Sequence, residues 1–407
     1  MSRGQTLYLT RNGLLEPLGQ SQVLAYLRGL SRDHRITLIT YEKPDDWADT
    51  ARMAAMRAEC DRHSIRWLPQ RFRPRPKVIA PAMSMMRMAW LVWREVRARR
   101  AELVHARSYI PAAVALTVHR LTGVPFIFDM RALWPEEMIT AGRLRRGSFL
   151  HHAIVAAERA CLRHAAAVVS LTDAAVAHLK SEYPKELDQQ RLVVIPTCAD
   201  LARFRRAPAN SPGVRVHGCI GTILSGWFRT DWLGAWLTTV AAADPSARFE
   251  IVTRDDPDRV REALDPEACL GSRLSIGAAP ASAMPDKLAL HDLSVMFYAG
   301  GETSELGRSP TRMAEVLGCG VPVVANAGVG DVARIITENR VGILVEGTEP
   351  AQMQQALAEL DELLADPDLA ARCRATAERY FSLEAATEAY RQLYTDILDS
   401  RSTACAG

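Results

Sequence analysis

Short apolar runs rich in Val, Ile and Leu alternate along the chain with longer stretches whose apolar positions recur every three or four residues. The short runs fit strands buried on both faces and the longer ones fit the helices that cover them, which predicts an α/β protein with parallel sheets. Six strands are predicted at 6–10, 35–41, 103–106, 126–129, 167–171 and 192–195, with helices at 21–30, 83–100, 110–121 and 149–163. Residues 196–213 break the pattern; they contain Pro208, Ser211, Pro212 and Gly213, have no apolar period and read as a linker. A second series follows at 214–220, 249–252, 274–276, 293–298, 321–325 and 342–345, closed by helices to about residue 400. The expectation is two doubly wound domains, 1–200 and 201–382, with a last helix at 383–400 packing back on the first. Ligands bind at the carboxyl ends of such sheets, and a cleft between the domains is the expected active site.

Residues 309–326 carry the densest chemistry. With Ser309 as N-cap and Pro310 as first helical residue, the free NH groups of Thr311 and Arg312 lie at the positive helix end, where phosphate binds. Glu315, one turn inward, can accept two hydrogen bonds from a ribose diol while Arg312 offsets phosphate charge. In the first half, residues 18–22 join a glycine turn to a helix start. The NH groups of Gly19, Gln20 and Ser21 could hold a phosphate or sugar oxygen, with simple N-capping by Ser21 as the alternative. Residues 105–109, including Arg107 and Ser108, and residues 128–137 put polar side chains just past apolar strands. Asp129 and Arg131 could orient an acceptor hydroxyl or bind its phosphate, or be a buried pair bracing the loop.

Several motifs carry less. Residues 328–333 have the Gly-x-Gly-x-x-Ala form of a dinucleotide fingerprint but come late in their series, where that fingerprint does not open a domain. Residues 221–227 keep two glycines of a phosphate loop but place Trp227 where lysine is needed, against kinase or ATPase chemistry. Asp256 with Asp258, and Asp366 with Asp368, suit turns and helix starts better than a cation.

Composition narrows the setting. The chain has 407 residues, 48% hydrophobic and 24% charged, enough for two cores and against disorder. Its eight cysteines are scattered without metal-ligand spacing, so reduced core thiols are expected and no metal site is assigned. No apolar run spans a bilayer and residues 1–10 lack a signal core, which predicts a cytoplasmic protein. The net charge of +3 hides an asymmetry: residues 1–200 hold 30 Lys+Arg against 19 Asp+Glu, while the remainder is acidic. The basic stretch 71–77, followed by Met83, Met85, Met86, Met88, Trp90 and Trp93 among arginines, admits a peripheral contact with an anionic membrane; a helix with a solvated basic face is the alternative. No nucleic-acid-binding module accompanies that charge.

Taken in order over some 300 residues, the segments at 12–24, 36–39, 105–109, 126–131, 195–200 with Phe204, and 309–326 resemble the retaining family 4 glycosyltransferases of GT-B fold, in a bacterial polysaccharide-assembly branch. The resemblance implies two Rossmann-like domains facing across a cleft. It implies transfer of a sugar from a nucleotide-sugar co-substrate, UDP-linked, to a glycan or lipid-phosphate-linked acceptor, with retention and neither metal nor cofactor. On that likeness Glu315 holds the ribose, Arg312 and Arg229 contact the diphosphate, and Thr222 and Gly301 count among the donor-binding residues. Three positions depart from the family pattern: Gly307 stands where a second glutamate is common, with Glu302 and Glu305 nearby; Thr222 replaces an arginine; and residues 129–131 replace a histidine at the acceptor side. A nucleotide-sugar epimerase, or a silent nucleotide-sugar-binding assembly partner, are the alternatives these departures leave.

Overall fold

The computed structural model describes residues 4–72, 79–99, 101–205 and 214–406, and most of the basic stretch 71–77 and of the proline-rich linker lies outside them. The chain forms two compact units, Met1–Pro196 with Leu383–Gly407, and Thr197–Ser382.

The first unit is built on β1 (Gln5–Leu9), β2 (Arg35–Glu42), β3 (Arg66–Arg71), β4 (Leu103–Arg107), β5 (Phe126–Asp129), β6 (Ala167–Ser170) and β7 (Leu192–Val194), ordered β3-β2-β1-β4-β5-β6-β7. The second is built on β8 (Val216–Ile220), β9 (Arg248–Val252), β10 (Leu274–Gly277), β11 (Leu293–Met296), β12 (Val323–Ala325) and β13 (Gly342–Leu344), ordered β10-β9-β8-β11-β12-β13. Every pairing within both sheets is parallel. β3 was not anticipated: its sequence, Arg-Trp-Leu-Pro-Gln-Arg, has little apolar content, and it survives as an edge strand paired only to β2, where Pro69 is tolerated.

Central strands are apolar throughout because helices cover both faces; Leu7, Leu9, Phe126, Ile127, Phe128, Val323 and Val324 are all buried. Strand order reverses between β1 and β4, and again between β8 and β11, so each sheet has a crevice at those carboxyl ends.

The unit boundary falls four residues before the break drawn from sequence. Thr197 turns toward the second unit: its NH and hydroxyl bond the Ser309 hydroxyl and carbonyl at 3.2 and 2.7 Å, and Ala199 bridges to Ser382. Leu201 and Phe204 then pack with Met313, Val316 and Leu317 in that unit's core. The closing helix Leu383–Ala406 belongs to the first unit, burying Tyr390 and Tyr394 and pairing Arg391 with Asp33 at 2.7 Å.

Candidate active site

In the first unit the loop after β1 is held from below. Glu42, at the end of neighbouring β2 and fully buried, accepts hydrogen bonds from the NH groups of Leu14 (2.8 Å) and Leu15 (3.3 Å) and from the Thr40 hydroxyl (2.6 Å), itself bonded by the Trp67 indole at 2.8 Å. Burial pushes the Glu42 carboxyl up, partly countered by these donors.

The helix that follows starts at Pro17, one turn before the predicted start at Ser21. Glu16 is its N-cap, Pro17–Gly19 form the first turn, and Gln20–Leu24 continue it as a π-helix. Proline at the first helical position supplied that signal. Gln20 NH is consequently spent on the Glu16 carbonyl and the Ser21 hydroxyl on the Pro17 carbonyl, so neither residue works as a helix-start anion ligand or N-cap. Gly19 is required by close packing: a Cβ there would sit 2.1 Å from the Gly13 carbonyl oxygen.

Beneath the ends of β4 and β5 lies a buried ionic cluster. Asp129 is within 3.6 Å of Arg107, 3.7 Å of Arg131 and 3.3 Å of His105, and accepts from the Tyr390 hydroxyl at 3.2 Å. His105 bonds the Tyr394 hydroxyl at 2.7 Å through its other ring nitrogen. Burial raises the Asp129 pKa, but Arg131, the His105 hydrogen bond and Arg107 outweigh it and hold the carboxyl at about 2. Burial also lowers the His105 pKa, against the opposing pull of Asp129, and pushes the Tyr8 hydroxyl up to about 12. Ser108 (φ 79°) and Arg131 (φ 63°) both occupy the left-handed region at the ends of adjacent strands, a costly backbone that clusters at functional sites. Asp129 is fully buried, and the Arg107 and Arg131 side chains beside it are each only 9% exposed.

In the second unit, the loop after β8 is pinned by Asp255, which accepts from Ile223 NH (2.6 Å) and Leu224 NH (2.9 Å). Thr222 is exposed on this loop. Arg229, just before the helix Thr230–Ala243, forms a two-pronged pair with Asp231 at 2.9 and 2.6 Å and lies over the Trp232 ring, so its charge is already engaged. Arg308 stacks on Trp227 at 4.4 Å and pairs with Glu305 at 2.9 Å. Of the two glutamates near Gly307, Glu305 is thus buried and paired, while Glu302 is exposed. Gly301 (φ 91°) donates to the Gly328 carbonyl at 3.1 Å, and a Cβ on Gly328 would come within 2.7 Å of the Gly301 nitrogen. The glycines of the false dinucleotide fingerprint therefore serve close contact between the loops after β11 and β12.

The helix Thr311–Gly318 begins one residue later than predicted: Pro310 is the N-cap, no side chain caps it, and the Ser309 hydroxyl is occupied by Thr197. The NH of Thr311 and of Arg312 start this helix, as expected for an anion site. The Arg312 guanidinium lies over Gly221, 3.5 Å from where a Cβ would stand, at the switch point of the sheet. Glu315 is largely buried one turn inward; burial raises its pKa, Arg312 and Arg203 lower it, and no hydrogen bond contributes. Among the described residues, neither Arg312 nor Glu315 forms an ion pair or side-chain hydrogen bond. Glu42 and Asp255 were missed by sequence reading; an acidic residue at or within three positions of the end of the second strand of each series was the available signal.

Residues 19–198 match the glycosyl transferase 4-like domain. No curated protein matches the chain. Among solved structures, a glycosyltransferase from Rickettsia africae is 15% identical with a TM-score of 0.73, covering 98% of this chain and 99% of its own. HepE from Anabaena, in complex with UDP-glucose, is 17% identical with a TM-score of 0.64, covering 98% and 99%. WaaG, a glycosyltransferase involved in lipopolysaccharide biosynthesis, is 14% identical with a TM-score of 0.63, covering 96% and 99%. At these identities the likeness is one of fold, two Rossmann-like parallel-sheet domains of GT-B type over nearly the whole chain. Residues 19–198 are thus similar to a glycosyl transferase 4-like domain, and the chain as a whole shares the GT-B fold.

Proposed function

We propose that the protein is a retaining glycosyltransferase that moves a hexosyl group from a UDP-linked donor to a glycan or lipid-phosphate-linked acceptor in polysaccharide assembly. The observation that carries this reading is the Arg312/Glu315 pair: a guanidinium at a helix N-terminus and a largely buried carboxylate one turn inward, neither in an ion pair or side-chain hydrogen bond among the described residues. Neither group is spent on an ion pair or side-chain hydrogen bond among the described residues, and a nucleoside diphosphate engages both, the diphosphate on Arg312 and the helix NH groups, the ribose diol on Glu315. HepE structures hold UDP and UDP-glucose, which favours uridine, and WaaG's involvement in lipopolysaccharide favours a cell-surface glycan.

Negative charge grows on the diphosphate as the glycosidic bond breaks. Arg312 and the NH groups of Thr311 and Arg312 are fixed before that happens, and preorganised donors of this kind lower the barrier without a metal ion. The acceptor attacks from the face the diphosphate leaves, which retains configuration and needs no paired carboxylates. Arg107 and Arg131, at the carboxyl ends of β4 and β5, meet the acceptor, and Asp129, buried beside them, is a positioning residue.

The test is incubation with a panel of UDP- and GDP-sugars, with and without membrane lipid extract and with or without chelator. Acceptor-dependent UDP release that survives chelation supports the proposal; a strict metal requirement refutes the mechanism. Sugar conversion without release would mark an epimerase. Saturable binding with neither would mark a silent member, the reading favoured by the engagement of Glu305 with Arg308.

A further inference from the structure

The helix Ile79–Arg99 has two apolar faces. One, formed by Met88, Leu91, Val92 and Val96, is buried. On the opposite side Met83, Met86, Trp90 and Trp93 recur at the spacing of a single stripe and are 55%, 65%, 52% and 39% exposed. An exposed stripe of large apolar side chains needs an occupant. Arginines border it: Arg94 lies over the Trp90 ring at 4.9 Å and Arg97 over Trp93 at 5.9 Å, and Arg87 is exposed beside Met86. The one acid of this helix, Glu95, is buried on the inner side and paired with Arg66 and Arg94, so the outer face carries no negative charge.

A second patch lies on the same side of the sheet. The helices Ile79–Arg99 and Phe149–His164 both pack on Tyr109–Thr122, which puts the three on one side of the first sheet. Both flanking helices precede a parallel strand and run back along the sheet, so both begin near its carboxyl edge. There Phe149 is 90% exposed, next to exposed Leu150 and preceded by Arg143 and Arg145.

We propose that this side of the first unit docks on an anionic bilayer, with Met83, Met86, Trp90, Trp93 and Phe149 entering the headgroup boundary and the arginines meeting lipid phosphates. Tryptophan and methionine beside arginine suit that boundary, where one end of each side chain is apolar and the other wet. The carboxyl edge of the sheet, with Arg107 and Arg131, then faces acceptors carried on lipid. This deepens the lipid-linked-acceptor part of the proposed function, yet docking is measured without any transfer reaction.

The experiment is co-sedimentation of the full chain with vesicles of phosphatidylcholine alone or mixed with phosphatidylglycerol, with tryptophan emission read in parallel. Expected are binding to the anionic vesicles only, a blue shift, weakening by salt, and loss of about fivefold affinity for each of Arg87 and Arg97 changed to Gln, with a smaller loss for Arg94→Gln because Glu95 already holds that guanidinium. Trp90→Ser with Trp93→Ser should abolish the blue shift while leaving the far-ultraviolet spectrum and UDP-sugar turnover with a soluble acceptor unchanged, since both rings are on the outer face. Equal binding to neutral vesicles, no binding, or wild-type binding by the double variant would overturn the proposal, as would a stable dimer that buries Trp90 and Trp93. Loss of turnover in the wild type with intact vesicle binding would instead count against the transferase reading alone.

Discussion

Glu315→Gln separates ligand binding from folding, because the structure gives the two opposite signs. The carboxylate is largely buried, has no hydrogen-bond donor, and is stabilised only by the fields of Arg312 and Arg203. If it receives the ribose diol, the variant loses charge-assisted hydrogen bonds worth about 1–3 kcal/mol in total, a 5- to 150-fold rise in the Kd for UDP. The free protein, by contrast, loses a charge that burial disfavours and should keep or raise its Tm. The pH dependence follows the same logic. A carboxyl whose folded pKa is raised above 4.5 makes folding less favourable as pH climbs from the unfolded value through the folded one. Wild type should therefore lose stability relative to the Gln variant across that window, while its UDP affinity rises as the carboxylate ionises. Calorimetric titration with UDP and thermal melts from pH 4 to 8 measure both. An unchanged Kd in folded Glu315→Gln, or a Tm lowered by several degrees, would refute the assignment.

Other variants probe the remaining groups. Arg312→Ala should weaken UDP about tenfold or more and leave uridine unaffected, whereas Arg229→Ala should change UDP affinity less than about threefold because Asp231 already holds that guanidinium; titration of both ligands compares them. Asp129→Asn strands two arginines and should cost about 3–5 kcal/mol in urea unfolding. Since the Asp129 pKa is depressed from 3.8 to about 2, its contribution is present above pH 3.8 and fades as pH falls through the folded value, so the variant's deficit should shrink in acid. Glu42→Ala leaves two buried NH groups unpaired and should cost about 2–4 kcal/mol by the same measurement, with a larger effect on acceptor KM than on UDP affinity.

Twelve of the thirteen strands among the described residues were legible because a strand covered on both faces is a short apolar run. β3 escaped because an edge strand needs little apolar surface. Helix starts were legible to within a turn, and both errors at the sites have tertiary or positional causes: Ser309 is taken by Thr197, 112 residues away, and Pro17 outcompetes Ser21 as a start. The types of residue at strand ends were readable; their protonation and pairing were not. Asp129 looks the same in sequence whether it faces a substrate or Tyr390, and Tyr390 arrives from 261 residues downstream.

The two units share a device that clarifies where ligand ends and scaffold begins. In each, a carboxylate at or just past the end of the second strand in sequence accepts the NH groups of the loop after the first: Glu42 for Leu14 and Leu15, Asp255 for Ile223 and Leu224. Glycine-bearing loops at these places hold phosphates when their NH groups are free, and here protein carboxylates already occupy them. Arg229, Arg308 and Glu305 are likewise paired within the second unit. Once these are set aside, Arg312 and Glu315 are left at the switch point without an ion pair or side-chain hydrogen bond among the described residues, the carboxylate stabilised only by the fields of Arg312 and Arg203. A buried acid and a nearby guanidinium that stop short of hydrogen bonding sacrifice stability in the free protein, and a ligand that engages both recovers it. Bound UDP should accordingly raise the Tm of wild type more than that of either single variant, and the double variant Glu315→Gln/Arg312→Ala should gain least. If UDP stabilised that double variant as much as wild type, the nucleotide would sit elsewhere, and the assignment of this helix would fall with it.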